Sequence, residues 1–172
     1  MTLGSLGSER RGARALPLLR PVVVPRAHLE PGLPPRSVRI SVTDRCDFAC
    51  TYCRPSRSDG YSDGRLLEPA WRTMFEALRR AGVRRVRLTG GEPLIHPDIV
   101  GIVAHLASLR FDDLALTTNA SQLARLARPL RAAGLHRLNV SIDTLDEARF
   151  REVTRGGELG PVLAGVDAAL EA

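Results

Sequence analysis

Lysine is absent from the 172-residue chain, so all 25 basic side chains are arginine. Against 19 acidic residues they leave a formal charge of +6, which invites a nucleic-acid reading. Position removes most of that reading. Residues 1–36 hold six Arg (10, 11, 14, 20, 26 and 36) against two Glu (9 and 30), and the rest of the chain has 19 Arg against 17 acids. The body is nearly balanced, and no nucleic-acid partner is expected of it. Cysteine is scarce as well: there are three, an odd number for a disulfide framework, all between positions 46 and 53. That usage points to a reducing, cytoplasmic setting. Long apolar runs are missing, since the stretch from Ala15 to Val24 is broken by Pro17, Arg20 and Pro21, and neither an export signal nor a membrane span is expected there. No Gly-x-Gly-x-x-Gly turn occurs, which argues against a dinucleotide-binding doubly wound sheet. A core is within reach, because a chain with 44% apolar residues that buries about two thirds of its surface needs neither disulfide nor structural metal.

What is present divides into two textures. Residues 1–36 carry six of the twelve prolines with scattered Gly, Ser and Arg and no sustained period, and read as a flexible Pro/Arg-rich tail before a domain at 37–172. From Val38 onward, short alternating runs followed by helical runs recur four times. The first strand, Val38 to Thr43, is followed by the Cys-rich loop and a helix from about Glu68 to Ala81 with Trp71, Met74, Phe75 and Leu78 on one stripe. Pro69 suits its first turn and Gly82 its end. The second strand, Val83 to Leu88, leads into Thr89-Gly90-Gly91-Glu92-Pro93 and a helix from about Pro97 to Leu109. The third strand, Asp113 to Thr118, meets Asn119-Ala120 and a helix from about Gln122, capped by Ser121 and stopped by Gly134. The fourth strand, Leu135 to Ile142, is followed by a short turn-like helix and a last helix from near Pro161, inside which the chain stops.

Strand–helix alternation at these spacings predicts parallel βα units with right-handed crossovers. Strands buried on both faces are near-continuous apolar runs, but these alternate. Val38, Ile40 and Val42 oppose Arg39, Ser41 and Thr43; Val86 and Leu88 oppose Arg85, Arg87 and Thr89; Leu138, Val140 and Ile142 oppose Asn139, Ser141 and Asp143. One face packs under helices and the other lines something wet and polar, which predicts an α/β fold, a partial parallel (βα) barrel of about four units with a charged ligand in its lumen. Arginines on that face are costly unless an anion neutralises them, and guanidinium forks suit phosphate oxygens. The alternative is pairing with Asp113, Asp143 or Glu92.

The densest chemistry lies in Cys46-Asp47-Phe48-Ala49-Cys50-Thr51-Tyr52-Cys53, a Cx3Cx2C loop directly after the first strand. A zinc knuckle would close with a fourth ligand. No fourth Cys exists, and the nearest upstream His, His28, lies in the tail. An iron–sulfur cluster normally takes four thiolates, so three leave one iron open to a small molecule. Gly90-Gly91-Glu92-Pro93 at the next strand end reads alone as a plain βα turn, and beside the Cys loop as a ligand-approach loop at the strand ends where such barrels build sites. His96, His105 and His136 show no ligating spacing and read as surface or packing residues. Asn119 reads equally as a turn residue or a ligand contact.

The Cx3Cx2C loop with Tyr52 before its last Cys, together with the GGEP element, resembles the radical S-adenosylmethionine (SAM) superfamily. Within it, "VRISVTDRCDFACTYC", "GVRRVRLTGGEPL", "LALTTNA" and "AGLHRLNVSIDTLDEARFREVTRGG" resemble the GTP 3′,8-cyclase family of molybdenum cofactor biosynthesis, from about Arg36 to the last residue. The resemblance implies a [4Fe-4S] cluster on Cys46, Cys50 and Cys53, SAM contacts at Tyr52, Gly91 and Ser141, and GTP contacts at Arg39, Arg85 and Thr117. It implies cleavage of SAM to a 5′-deoxyadenosyl radical, hydrogen abstraction from ribose C3′ and attack on guanine C8. GTP is the implied substrate, with an electron donor such as flavodoxin or ferredoxin; a homodimer is one assembly, and no membrane partner is implied. Three departures stand out. Arg54 replaces the Met often found after the last Cys. Ala120 stands where Gly is usual, so a positive φ there carries about 1 kcal/mol of strain. The family's barrel is larger and its C-terminal part bears a second three-Cys cluster, whereas no Cys follows Cys53. The expectation is an N-terminal, truncated part of such an enzyme, poorly active alone. The rivals are another radical SAM enzyme, such as a peptide-modifying one, a basic nucleic-acid-binding domain, and a zinc module.

Overall fold

The computed structural model describes residues 35–54 and 68–172. The predicted tail therefore lies outside the described residues except for its last two positions. Four strands alternate with helices: β1 (Ser37–Ser41), α1 (Glu68–Arg80), β2 (Arg85–Thr89), α2 (Ile99–Ser108), β3 (Asp113–Thr118), α3 (Leu123–Ala132), β4 (Arg137–Val140), α4 (Glu147–Val153) and α5 (Leu159–Leu170), with a 3₁₀ turn at Pro93–Ile95. The strands form one parallel sheet in the order β1-β2-β3-β4.

Register aligns the alternation across the sheet. Val38 lies beside Val86 and Val86 beside Leu114, while Leu88 pairs with Leu116 and Leu116 with Leu138. Val86, Leu88, Leu114 and Leu116 are at most 1% exposed and join one core with Trp71 and Phe75 of α1, Val103 and Leu106 of α2, and Leu123 and Leu130 of α3. The apolar face thus packs under helices, as the alternation predicts. No helix among the described residues is long and apolar enough to cross a membrane.

β2 and β4 begin two residues later than the sequence suggests, for a shared reason. Gly82 and Gly134 adopt φ of 91° and 97°, and the next residues donate backwards, Val83 N–H to Leu78 O at 3.1 Å and Leu135 N–H to Leu130 O at 3.0 Å. Val83 and Leu135 therefore close the C-terminal caps of α1 and α3; their apolar side chains are buried there rather than in the sheet. Ser121 does not cap α3, which starts after Gln122 with no side-chain cap bond. Its hydroxyl donates instead to Asp47 in the cysteine loop. α5 starts at Leu159, which puts Pro161 inside its first turn, where a missing N–H costs nothing.

Candidate functional site at the strand ends

Beyond β1 the chain keeps pairing with the loop after β2. Val42 N–H donates to Thr89 O at 3.0 Å, Gly91 N–H to Thr43 O at 2.8 Å, and Glu92 N–H to Arg45 O at 2.7 Å. The two glycines are required by this approach: a Cβ on Gly90 would stand 2.2 Å from Thr43 O, and one on Gly91 2.1 Å from Arg45 O. Gly90 also has φ of 148°. The sequence placed these glycines against a ligand; the partner they demonstrably admit is the backbone entering the cysteine loop.

That loop is tied down along its length. Ala49 N–H donates to Thr154 O at 3.3 Å and Thr51 N–H to Val153 O at 2.9 Å, both at the end of α4. Phe48 sets its ring edge-on to Phe150, centroids 5.7 Å apart. Asp47 accepts from Asn119 Nδ2 at 2.8 Å and from Ser121 Oγ. A turn over the last two cysteines is closed by Cys53 N–H and Arg54 N–H on Cys50 O, at 3.0 and 2.9 Å. None of the three cysteines is in a disulfide. Burial, opposed by the Phe48 backbone and reinforced by Asp47, Glu92 and Cys50, pushes the Cys46 thiol up to about 11. Burial also raises Cys50. Tyr52, 68% exposed, donates its hydroxyl to Asp143 Oδ2 at 2.9 Å, and that bond pushes its pKa well above the usual phenol range.

Glu92, 1% exposed, reads in the sequence as part of the glycine loop and as a candidate arginine partner, and its role here is neither of these. Its Oε1 accepts from Leu94 N–H at 2.9 Å and Thr118 Oγ1 at 2.7 Å, and its Oε2 from Asn119 N–H at 2.7 Å. Burial raises its pKa against the three hydrogen bonds that favour the carboxylate. It is therefore a brace between the ends of β2 and β3, and among the described residues it forms no ion pair with an arginine. Asn119 is a turn residue: Oδ1 accepts Ser121 N–H at 2.9 Å. Ala120 adopts φ of 66°, the strained conformation foreseen for it, and its N–H donates to Thr118 Oγ1 at 2.9 Å.

The polar face of the sheet forms rows. Ser37, Arg85 and Asp113 are in register at the N-terminal end; Arg39, Arg87, Ala115 and Arg137 come next; Ser41 pairs with Thr89 and Thr117 with Asn139 above them. Asp113 is occupied by Arg137, whose Nε donates to Oδ1 at 2.8 Å and whose second nitrogen reaches Oδ2. Among the described residues neither Arg39 nor Arg87 is in an ion pair, so the pairing alternative fails for both. Arg87 is half-buried with the exposed Arg39 beside it; Arg85, also exposed, lies one row lower and next to Asp113. Thr117 is half-buried on this face; Ser141 is exposed just past β4, where its N–H continues the ladder to Thr118 O at 2.9 Å. The arrangement gathers Tyr52, Gly91 and the three cysteines at the β1 and β2 ends, with Arg39, Arg87 and Thr117 on the sheet surface.

A partial parallel barrel with a three-cysteine loop at its first strand end and a paired-glycine loop at its second defines a class of metal-cluster enzymes. Residues 40–172 match the model of the Radical SAM superfamily, and the chain belongs to that superfamily. It is 51% identical over 140 residues to GTP 3′,8-cyclase 1 of Pseudomonas aeruginosa, covering 77% of this chain and 41% of that protein. Among solved structures, methylornithine synthase (PylB) superposes with a TM-score of 0.61 at 19% identity, over 78% of this chain and 41% of that one. SuiB of Streptococcus suis bound to S-adenosylmethionine gives 0.60 at 21% identity, over 76% and 29%. At these identities the structural likeness is one of fold. The chain spans about two fifths of the length of the curated relatives it matches.

The superfamily implies a [4Fe-4S] cluster and SAM, and the residues present fit them. Among the described residues no three His, Cys, Asp or Glu side chains converge to hold a single metal ion. A four-iron cluster asks for something different, one thiolate on each of several irons. The loop supplies three thiols in succession, close enough that Cys50 acts electrostatically on Cys46 and Cys53 on Cys50, on a backbone held by hydrogen bonds to α4 and the Gly90–Gly91 turn.

Proposed function

We propose that this chain carries the SAM-cleaving and triphosphate-binding part of a GTP 3′,8-cyclase. The observation that carries the substrate is the adjacent pair Arg39 and Arg87, two guanidinium groups facing the lumen with no protein carboxylate to neutralise them. An anion with several oxygens supplies what they lack, and a relative half identical in sequence is named for GTP. Register favours Arg87 over Arg85 as the second triphosphate contact, with Thr117 above them.

In this reading Cys46, Cys50 and Cys53 hold a [4Fe-4S] cluster, while Tyr52, Gly91 and Ser141 place SAM. When bound, that pair supplies a 5′-deoxyadenosyl radical for hydrogen abstraction from the ribose. The residues of this chain do the positioning: the Gly90–Gly91 backbone fixes the cysteine loop, Tyr52 and Asp143 hold its outer rim, and the arginines draw the phosphates onto the sheet. The setting is cytoplasmic, and an electron donor such as flavodoxin or ferredoxin completes the partner set. No cysteine follows Cys53, so these residues furnish no second cluster, and efficient cyclisation is not assigned to them alone.

Anaerobic reconstitution with iron and sulfide, followed by SAM and dithionite with and without GTP, tests this. A brown protein that releases 5′-deoxyadenosine, with little cyclised nucleotide, is expected. A colourless product, or no 5′-deoxyadenosine under any condition, overturns the chemistry; abundant 3′,8-cyclo-GTP overturns the division of labour.

A further inference from the structure

We propose that the side-chain amide of Asn139 hydrogen-bonds the ribose hydroxyls of the bound nucleoside triphosphate, so that β4 reads the sugar. This rests on the nucleotide reading above and adds to it a residue for which no role has yet been given.

Three observations carry it. Asn139 lies on the polar face beside Thr117, in the row directly above the one that holds Arg39 and Arg87. It is half-buried, and its amide makes no hydrogen bond to any described residue. Asn119, the chain's other asparagine, has both ends of its amide engaged, Oδ1 by Ser121 N–H and Nδ2 by Asp47. A half-buried amide facing the lumen without a protein partner is free to pair with a ligand laid against that face, which then replaces solvent there.

Chemistry and spacing then choose that partner. Phosphate oxygens only accept hydrogen bonds, which suits the arginine row; a hydroxyl donates and accepts, which suits an amide that does both. Two residues along a strand advance about 6.6 Å. A nucleotide laid with its phosphates on Arg39 and Arg87 therefore brings its sugar, one linkage away, to the level of Asn139 and Thr117, with its base farther on. That level is also the one nearer the cysteine loop, where a ribose hydrogen has to be.

The test compares binding of GTP, 2′,3′-dideoxy-GTP and inosine triphosphate to the reconstituted 172-residue protein by titration calorimetry, for the parent and for Asn139→Ala and Asn139→Val, the latter a strong strand former. The parent is expected to bind GTP roughly fivefold more tightly than the dideoxy nucleotide, the effect of about one net hydrogen bond. Both variants are expected to bring that ratio close to one while holding dideoxy-GTP affinity within about twofold, which also shows that they are folded. An unchanged ratio in both variants, or a parent with no preference, overturns the assignment of Asn139. So does a variant effect confined to GTP against inosine triphosphate, which would place the amide on the base. Absence of binding by all three nucleotides overturns the triphosphate reading itself.

Discussion

The carboxylate of Glu92 accepts the backbone N–H of Asn119 at 2.7 Å across the gap between β2 and β3. With Leu94 N–H and Thr118 Oγ1 on the other oxygen, one buried acid satisfies three donors that no other group among the described residues takes. Glu92→Gln turns an amide N–H towards one of those donors, and Glu92→Ala strands all three. Losses of about 1–3 kcal/mol for Gln and more for Ala are expected, read from urea unfolding at neutral pH. A wild-type midpoint for Glu92→Ala would refute the brace.

Gly91 admits Arg45 O where a side chain cannot fit. Gly91→Ala forces the cysteine loop away from the end of β2. About 1–3 kcal/mol of stability should go, together with most of the iron taken up on reconstitution. Iron per chain after desalting is the measurement; full loading would show that the loop tolerates the shift.

Arg39 and Arg87 lack carboxylate partners, so removing them breaks no ion pair. Arg39→Ala and Arg87→Ala should keep the unfolding free energy within about 0.5 kcal/mol while weakening GTP ten- to a hundredfold, the range for hydrogen bonds to charged groups. Arg85→Ala should weaken it less than about threefold, because register sets Arg85 a row away. Calorimetric titration separates the three, and a larger loss at Arg85 than at Arg87 would reverse the assignment.

Asp113 is held below the usual carboxylate range chiefly by its hydrogen bond to Arg137. A lowered folded pKa means the unfolded chain binds the proton more readily, so the pair's stabilisation is complete above the ordinary value near 4 and fades as pH falls through the folded one. Parent and Asp113→Asn should therefore differ most at neutral pH and converge towards pH 3, as followed by denaturant titrations across that range.

The strand alternation made much of this architecture readable. The bounds of β3 fall where the sequence put them, and the opposition of Arg39 and Ser41 to Val38 and Ile40 defined the two faces before any coordinates. What escaped depends on contacts between distant segments. Val83 and Leu135 have the composition of strand residues, but helix caps claim them. Ser121 looks like a helix cap until Asp47, 74 positions away, takes its hydroxyl. Glu92 sits in a turn-like tetrapeptide whose purpose appears only when the ends of β2 and β3 are adjacent. The preference for Arg87 over Arg85 needed the register, since both lie on the same face by period alone.

The cysteine loop is secured mainly by backbone hydrogen bonds to α4 and to the Gly90–Gly91 turn, by the Phe48–Phe150 contact and by Asp47; the Cys46 thiol adds long contacts, to Asp47 Oδ1 at 3.9 Å and from Asn119 Nδ2 at 4.0 Å. Oxygen damage that strips iron from such a loop would leave its scaffold in place. Repair then becomes a matter of delivering iron and sulfide to a standing frame, with no refolding step, and a cell recovering from oxidative stress could restore this protein without making it anew.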